Sequence, residues 1–189
     1  MPNIHIISRR KPKESAELDL YTEAAWWALD KFAFMPGQIR EIYLYVDEYR
    51  INSTISVADG CVSGDGCSKA VSTSGTSLDE KDALGFFSPD LREIHLATRW
   101  ANSPAQCDLH TSPMDVCLTL FHEVGHSIQK VVGSLEGAPA SDISETLIEI
   151  GAEEFASRAL GEFLIDRFFR VAELLPNISK RSRPPRRSK

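Results

Sequence analysis

The sequence predicts an α+β fold: a small twisted, mostly antiparallel sheet packed on one central helix and a long C-terminal helix. Three observations carry that expectation. Glu41 to Tyr49 alternates between an Ile42, Leu44, Val46 side and a Tyr43, Tyr45, Asp47 side, the period of a strand. Gly85-Phe86-Phe87 and Arg92 to Ala97 flank the turn Ser88-Pro89-Asp90 and read as a hairpin. Elsewhere apolar residues recur at helical spacing over three stretches, beginning near Leu18, Met114 and Ile148. With 189 residues, 42% of them apolar and 25% charged, the chain suits one well-buried domain. We place that domain at 1–175 and a basic, disordered tail at 176–189.

Taken in order, Asn3 to Ser8 reads as a short first strand. Leu18, Tyr21, Ala25, Ala28, Leu29 and Phe32 then share one helical face, which Met35-Pro36-Gly37 brings to an end. Ile51 to Val57 is expected to pair back on the Glu41 strand as a hairpin. Ala58 to Gly66 is a loop rich in glycine and aspartate, Lys69 to Ser72 a further short strand, and Thr73 to Lys81 a polar connection. After the Ser88-Pro89-Asp90 hairpin, Ala101 to Thr111 leads irregularly into the next helix. Ser112 is its N-cap and Pro113 its first helical residue. Its stripe runs from Met114 through Cys117, Phe121 and Val124 to Val132, and Gly133-Ser134 gives a stop. The last helix is expected near Asp142 to Glu173, with Ile148, Ala152, Phe155, Ala156, Phe163 and Leu164 on its buried face. From Pro176 onward Pro, Ser, Arg and Lys dominate, a composition that does not build a core.

Charge narrows the partners. The net charge is −6, yet residues 180–189 hold six basic residues and no acid. The remainder carries 15 basic against 27 acidic residues, a net of −12. Such a body is unsuited to nucleic acid, and only the tail could make such contacts. No stretch approaches the roughly 20 apolar residues of a membrane span, so no membrane partner is expected. No basic segment followed by an apolar run opens the chain, so no secretory signal is visible and a cytoplasmic location is expected. Cys61, Cys67, Cys107 and Cys117 lack C-x-x-C spacing and read as reduced cysteines.

The chemistry gathers at Phe121-His122-Glu123-Val124-Gly125-His126. Histidines four apart on a helix sit one turn above each other, so both imidazoles can reach one metal ion. Glu123 is placed to act on a water at that metal rather than to bind the metal itself. Gly125 keeps the ground beside His126 free of side chain. This is the H-E-x-x-H pattern of zinc peptidases, and a catalytic zinc takes three protein ligands. Position 132, where a third histidine of the metzincin type would stand, is a valine. A carboxylate on the last helix remains. Helical placement at roughly 100° per residue turns Glu154 to solvent, sets Glu153 on the border and points Glu145 and Glu149 inward. An unpaired inward carboxylate is costly and a metal would relieve that cost. Glu149, a full turn inside the helix, is the expected ligand, with Glu153 and Glu145 the alternatives.

These two segments, His122-Glu123-Val124-Gly125-His126 and Glu149-Ile150-Gly151-Ala152-Glu153-Glu154-Phe155-Ala156, resemble the gluzincin metallopeptidases in their minimal form, distantly like the ImmA/IrrE-type peptidases. The resemblance covers roughly residues 85–165. It implies a zincin-like domain and a zinc-dependent endopeptidase acting on a protein or peptide, with Glu123 as general base and His122, His126 and Glu149 holding Zn2+. It also implies that the Arg92 to Ala97 strand forms the sheet edge beside the cleft. His95 and His110 are the histidines nearest the motif, and we expect both to be ordinary surface or loop residues; no oxyanion donor is assigned. The alternative is a catalytically silent scaffold of the same fold, against which the intact Glu123 argues.

Overall fold

The computed structural model describes residues 2–9, 15–32, 38–52, 82–102, 109–136 and 145–181. The strands are β1 (Asn3–Ile7), β2 (Glu41–Tyr45), β3 (Ile51–Asn52), β4 (Asp82–Ala83), β5 (Gly85–Ser88) and β6 (Glu93–Ala97). The helices are α1 (Ala16–Phe32), between β1 and β2, then α2 (Pro113–Glu136) and α3 (Glu145–Arg181) after β6.

The α+β inventory is as the sequence predicts, but the sheet is not mostly antiparallel. Its order is β1-β2-β6-β5, with β1/β2 and β2/β6 parallel and only β5/β6 antiparallel. A helix of 17 residues between β1 and β2 returns the chain to the same end of the sheet, which makes the next strand parallel. Side-chain alternation reports which face is buried and is silent on the direction of the neighbour. Of the expected hairpin partner Ile51 to Val57, residues 53–57 lie outside the described residues, and Ile51 and Asn52 pair not with β2 but antiparallel with Ala83 and Asp82 in a separate two-stranded sheet. Among the described residues β6 is an inner strand and β5 an edge, the reverse of the expectation for Arg92 to Ala97.

One face of the sheet, with Ile42, Leu44, Ile94 and Leu96, forms a single core with all three helices. Trp27 of α1 joins them, its ring meeting Phe121 of α2 at 5.5 Å and Phe163 of α3 at 5.6 Å. Its indole N–H donates to Asp166 at 2.9 Å, and Arg167 pairs with Glu23 at 2.9 Å, fixing α3 to α1. α3 continues to Arg181, past Pro176, where the tail was expected to begin. The expected elements at Met35-Pro36-Gly37 and Lys69 to Ser72, with Cys61, Cys67, Cys107 and residues 182–189, lie outside the described residues. Cys117 is a buried free thiol, pushed up to about 12 by burial. Among the described residues no helix is long and apolar enough to cross a membrane.

The opposite face carries a ladder of rings in register. His5, Tyr43, His95 and Phe86 stand side by side on β1, β2, β6 and β5. Successive centroids lie 4.8, 4.8 and 4.6 Å apart, with planes within 16° of each other. Cross-strand pairs of this kind add to sheet stability and help fix its register. His95 is therefore no surface residue. It is 1% exposed, with Nδ1 3.0 Å from the Tyr45 hydroxyl and Nε2 3.3 Å from Glu93.

Burial holds the His95 imidazole down at about 4, against an ordinary 6.5. As pH falls, the unfolded chain takes up this proton first, so stability is lost between about 6.5 and about 4. Replacing His95→Phe should keep the ring ladder yet flatten the pH dependence of stability across that window. Urea unfolding of both proteins at pH 7 and pH 5 checks this, and equal losses on acidification would refute it.

Candidate metal centre

α2 is set by its first turn. The Ser112 hydroxyl caps the Asp115 amide at 3.3 Å, and Asp115 reaches back to the Thr111 amide and hydroxyl at 2.9 and 2.7 Å. These contacts satisfy N–H groups that a helix start leaves without partners. From there Val116, Cys117, Leu120, Phe121 and Val124 are buried, and the half-buried His122 and His126 fall on the border of that face. The expected stop at Gly133 is passed by one further turn.

Two glycines bring α3 close. A Cβ on Gly125 would lie 3.2 Å from the Ala152 main chain and 3.2 Å from the Phe155 ring. Its absence lets the helices press together one residue before His126, and Glu149 stands a turn earlier on α3. On α3, a Cβ on Gly151 would meet the Gln129 amide nitrogen at 2.7 Å. The space instead admits Gln129, which donates to the Ile148 carbonyl at 2.8 Å.

At this crossing three side chains converge. His122 Nε2 and His126 Nε2 are 2.9 Å apart, and the Glu149 oxygens lie 3.2 Å from the first and 3.5 Å from the second. His122, His126 and Glu149 each offer one ligand atom, all within 4.8 Å of one another. The expected ligand set is thus brought together, although Glu149 is exposed rather than inward. Glu153 and Glu154 are exposed on the same helix, and the Glu145 side chain lies outside the described residues.

Gln129 Oε1 accepts from His126 Nδ1 at 3.1 Å, which in the neutral ring leaves Nε2 as a bare lone pair. Burial, then the neighbouring His126, lowers the His122 pKa, while Glu149 opposes this; a neutral His122 adds at most one N–H. Two ring nitrogens and two carboxylate oxygens face one another at 2.9–3.5 Å. Two histidines with one glutamate form a donor set that could hold a metal ion and would suit zinc with room for another ligand. Sequence reasoning passed over Gln129. The signal available was a polar residue three after His126, on the same helix face.

Glu123 is 6% exposed and points to the sheet, where the Phe87 main-chain N–H on β5 donates to its carboxylate. Burial, reinforced by nearby Glu149 and opposed by that N–H, pushes its carboxyl up to about 8. His110, expected at the surface, is buried, with Nε2 3.1 Å from the Ala97 carbonyl; its pKa is lowered by burial. His95 belongs to the far face of the sheet. Neither histidine joins the cluster.

Comparison with protein-family models, curated proteins and solved structures finds no match to this chain.

Gln129 ties α2 to α3 independently of any metal. Gln129→Leu should lower the stability of metal-free protein by about 1 kcal/mol. The His126 ring should then populate both neutral tautomers, where wild type holds the proton on Nδ1. Nitrogen-15 NMR of the ring and urea unfolding read the two effects. An unchanged tautomer would mean that Gln129 does not set it.

Proposed function

We propose that this protein is a zinc-dependent hydrolase of peptide bonds, an endopeptidase acting on a protein or peptide substrate. The reading is carried by one observation: the ligand atoms of His122, His126 and Glu149 converge within 4.8 Å of one another, with a buried carboxyl, Glu123, on the same helix as the histidines. His122, His126 and Glu149 would hold the ion. Zinc bound there would supply Lewis-acid polarisation of the scissile carbonyl and acidify a water molecule. Gln129, accepting from His126 Nδ1, would keep that ring in the tautomer that presents Nε2. Glu123 needs no direct contact with metal for its part. In its ionised form the Glu123 carboxylate would accept a proton from water and return it to the leaving amine.

A substrate groove along β5 would fit the strand order. β5, the edge beside α2, is the strand on which an extended peptide would add, in place of the expected β6. Its Phe87 amide lies against Glu123, so a chain added at this edge would run past the base.

Metal content and turnover test the ligands and the base separately. Purified wild type loaded with zinc should retain about one ion per chain. His122→Ala and Glu149→Ala should lose most of it, whereas Glu154→Ala should keep it. Loss with Glu153→Ala and retention with Glu149→Ala would move the ligand by one turn. Glu123→Gln should keep metal and melting temperature while losing at least about a hundredfold in cleavage of a fluorogenic peptide library. If zinc-loaded wild type cleaves nothing that Glu123→Gln does not, the hydrolase reading fails and an interaction scaffold remains.

A further inference from the structure

Among the described residues, α3 carries apolar surface that nothing else in the chain covers. Its inner face, Ala152, Ala156, Ala159 and Phe163, is buried against the other helices. On the outer face Leu164, Ile165, Phe168, Phe169 and Val171 stand 39–69% exposed. With Gly161, positions 161, 164, 168 and 171 are spaced by three, four and three, the seam of a helix that pairs with another helix. Gly161 lies in that seam, and a Cβ there would meet nothing within 4 Å. Packing within the chain does not call for glycine at this point, where it weakens the helix.

Charge identifies the partner. Residues 145–154 contain four acids (Glu145, Glu149, Glu153 and Glu154) and no base, while 174–189 contain six basic residues and no acid. We propose that α3 pairs antiparallel with α3 of a second copy, about a two-fold axis passing between Leu164 and Ile165. In that register Phe168 of one copy falls opposite Gly161 of the other, and Ser157 opposite Ala172. The Phe168 ring occupies the space left by the missing side chain. Lys180 and Arg181 in the last turn of each helix come opposite Glu149 and Ile148 in the acidic start of its mate, and one patch serves both copies, as a two-fold interface requires. A parallel pair would set acid against acid and leave Gly161 opposite Gly161. An anionic membrane would accept the basic end but would repel the acids along the first third of the helix. The pairing uses the outer face of α3 and does not depend on the metal reading.

Sedimentation equilibrium of the full chain over a range of concentrations tests the proposal. Wild type should be a dimer. Phe168→Glu and Gly161→Leu should each raise the dissociation constant on the order of a hundredfold or more, with the helical circular dichroism of the folded chain retained. Phe168→Leu should remain dimeric. For direction, the double variant Ser157→Cys with Ala172→Cys should form disulfide-linked dimers under oxidation beyond those of the native cysteines. Either single variant should not. A monomeric wild type would overturn the proposal. So would cross-linking of Ser157→Cys alone, which marks a parallel pair. Sedimentation of monomeric wild type with phosphatidylserine vesicles, lost in Phe168→Glu, would assign the face to a membrane instead.

Discussion

The structure hinges on how closely α2 and α3 approach. The crossing lies at Gly125 and Ala152, where any side chain on the first would press into the main chain of the second. Packed interiors leave little slack, so one added methyl group is felt several residues away. The same approach sets the distance from Glu149 to the two imidazoles and from Gln129 to the Ile148 carbonyl. The inner face of α3 at this level is alanine, with Ala152, Ala156 and Ala159 all buried. Small residues allow the approach, while the rings of Trp27, Phe121 and Phe163 set where along its length α3 is held.

The sheet contributes differently. Its inner face supplies the floor on which α2 lies, and its edge strand meets Glu123 through the Phe87 amide. Carboxyl burial of this kind is costly unless a donor answers it, and a main-chain N–H on an edge strand is a donor the sheet leaves over. The outer ladder of His5, Tyr43, His95 and Phe86 holds the four strands at one level. It thereby fixes where β5, and with it the Glu123 contact, sits relative to α2.

Much of this was legible in the residues. The faces of α1 and α2, the Ser112 cap and the β5/β6 hairpin follow from local periodicity and turn chemistry, which act within a few residues. The pairing of His122 with His126 was readable because helical spacing is rigid, whereas Glu149 joins them although it is exposed and not inward as its helical placement suggested. What escaped were relations between distant segments. Strand direction depends on the route of the chain between strands, so β1/β2 could not be read from the alternation of Glu41 to Tyr49. His95 and His110 looked ordinary because burial of a polar ring is decided by neighbours far away in sequence. Gly151 and Gln129 went unread because each has meaning only beside the other.

The alanine seam of α3 has a consequence for how the site withstands change. Each residue along a helix advances about 1.5 Å and turns by about 100°. Residues can be exchanged on the outward side of α3 without moving the Glu149 carboxylate. Adding or deleting one residue between Glu149 and Ala152 would swing that carboxylate away from the imidazoles by more than a quarter turn, and no side-chain rearrangement would restore it. The centre is therefore intolerant of frame as well as of bulk at Gly151 and Ala152: in this short stretch the count of residues is as binding as the size of the two that face α2.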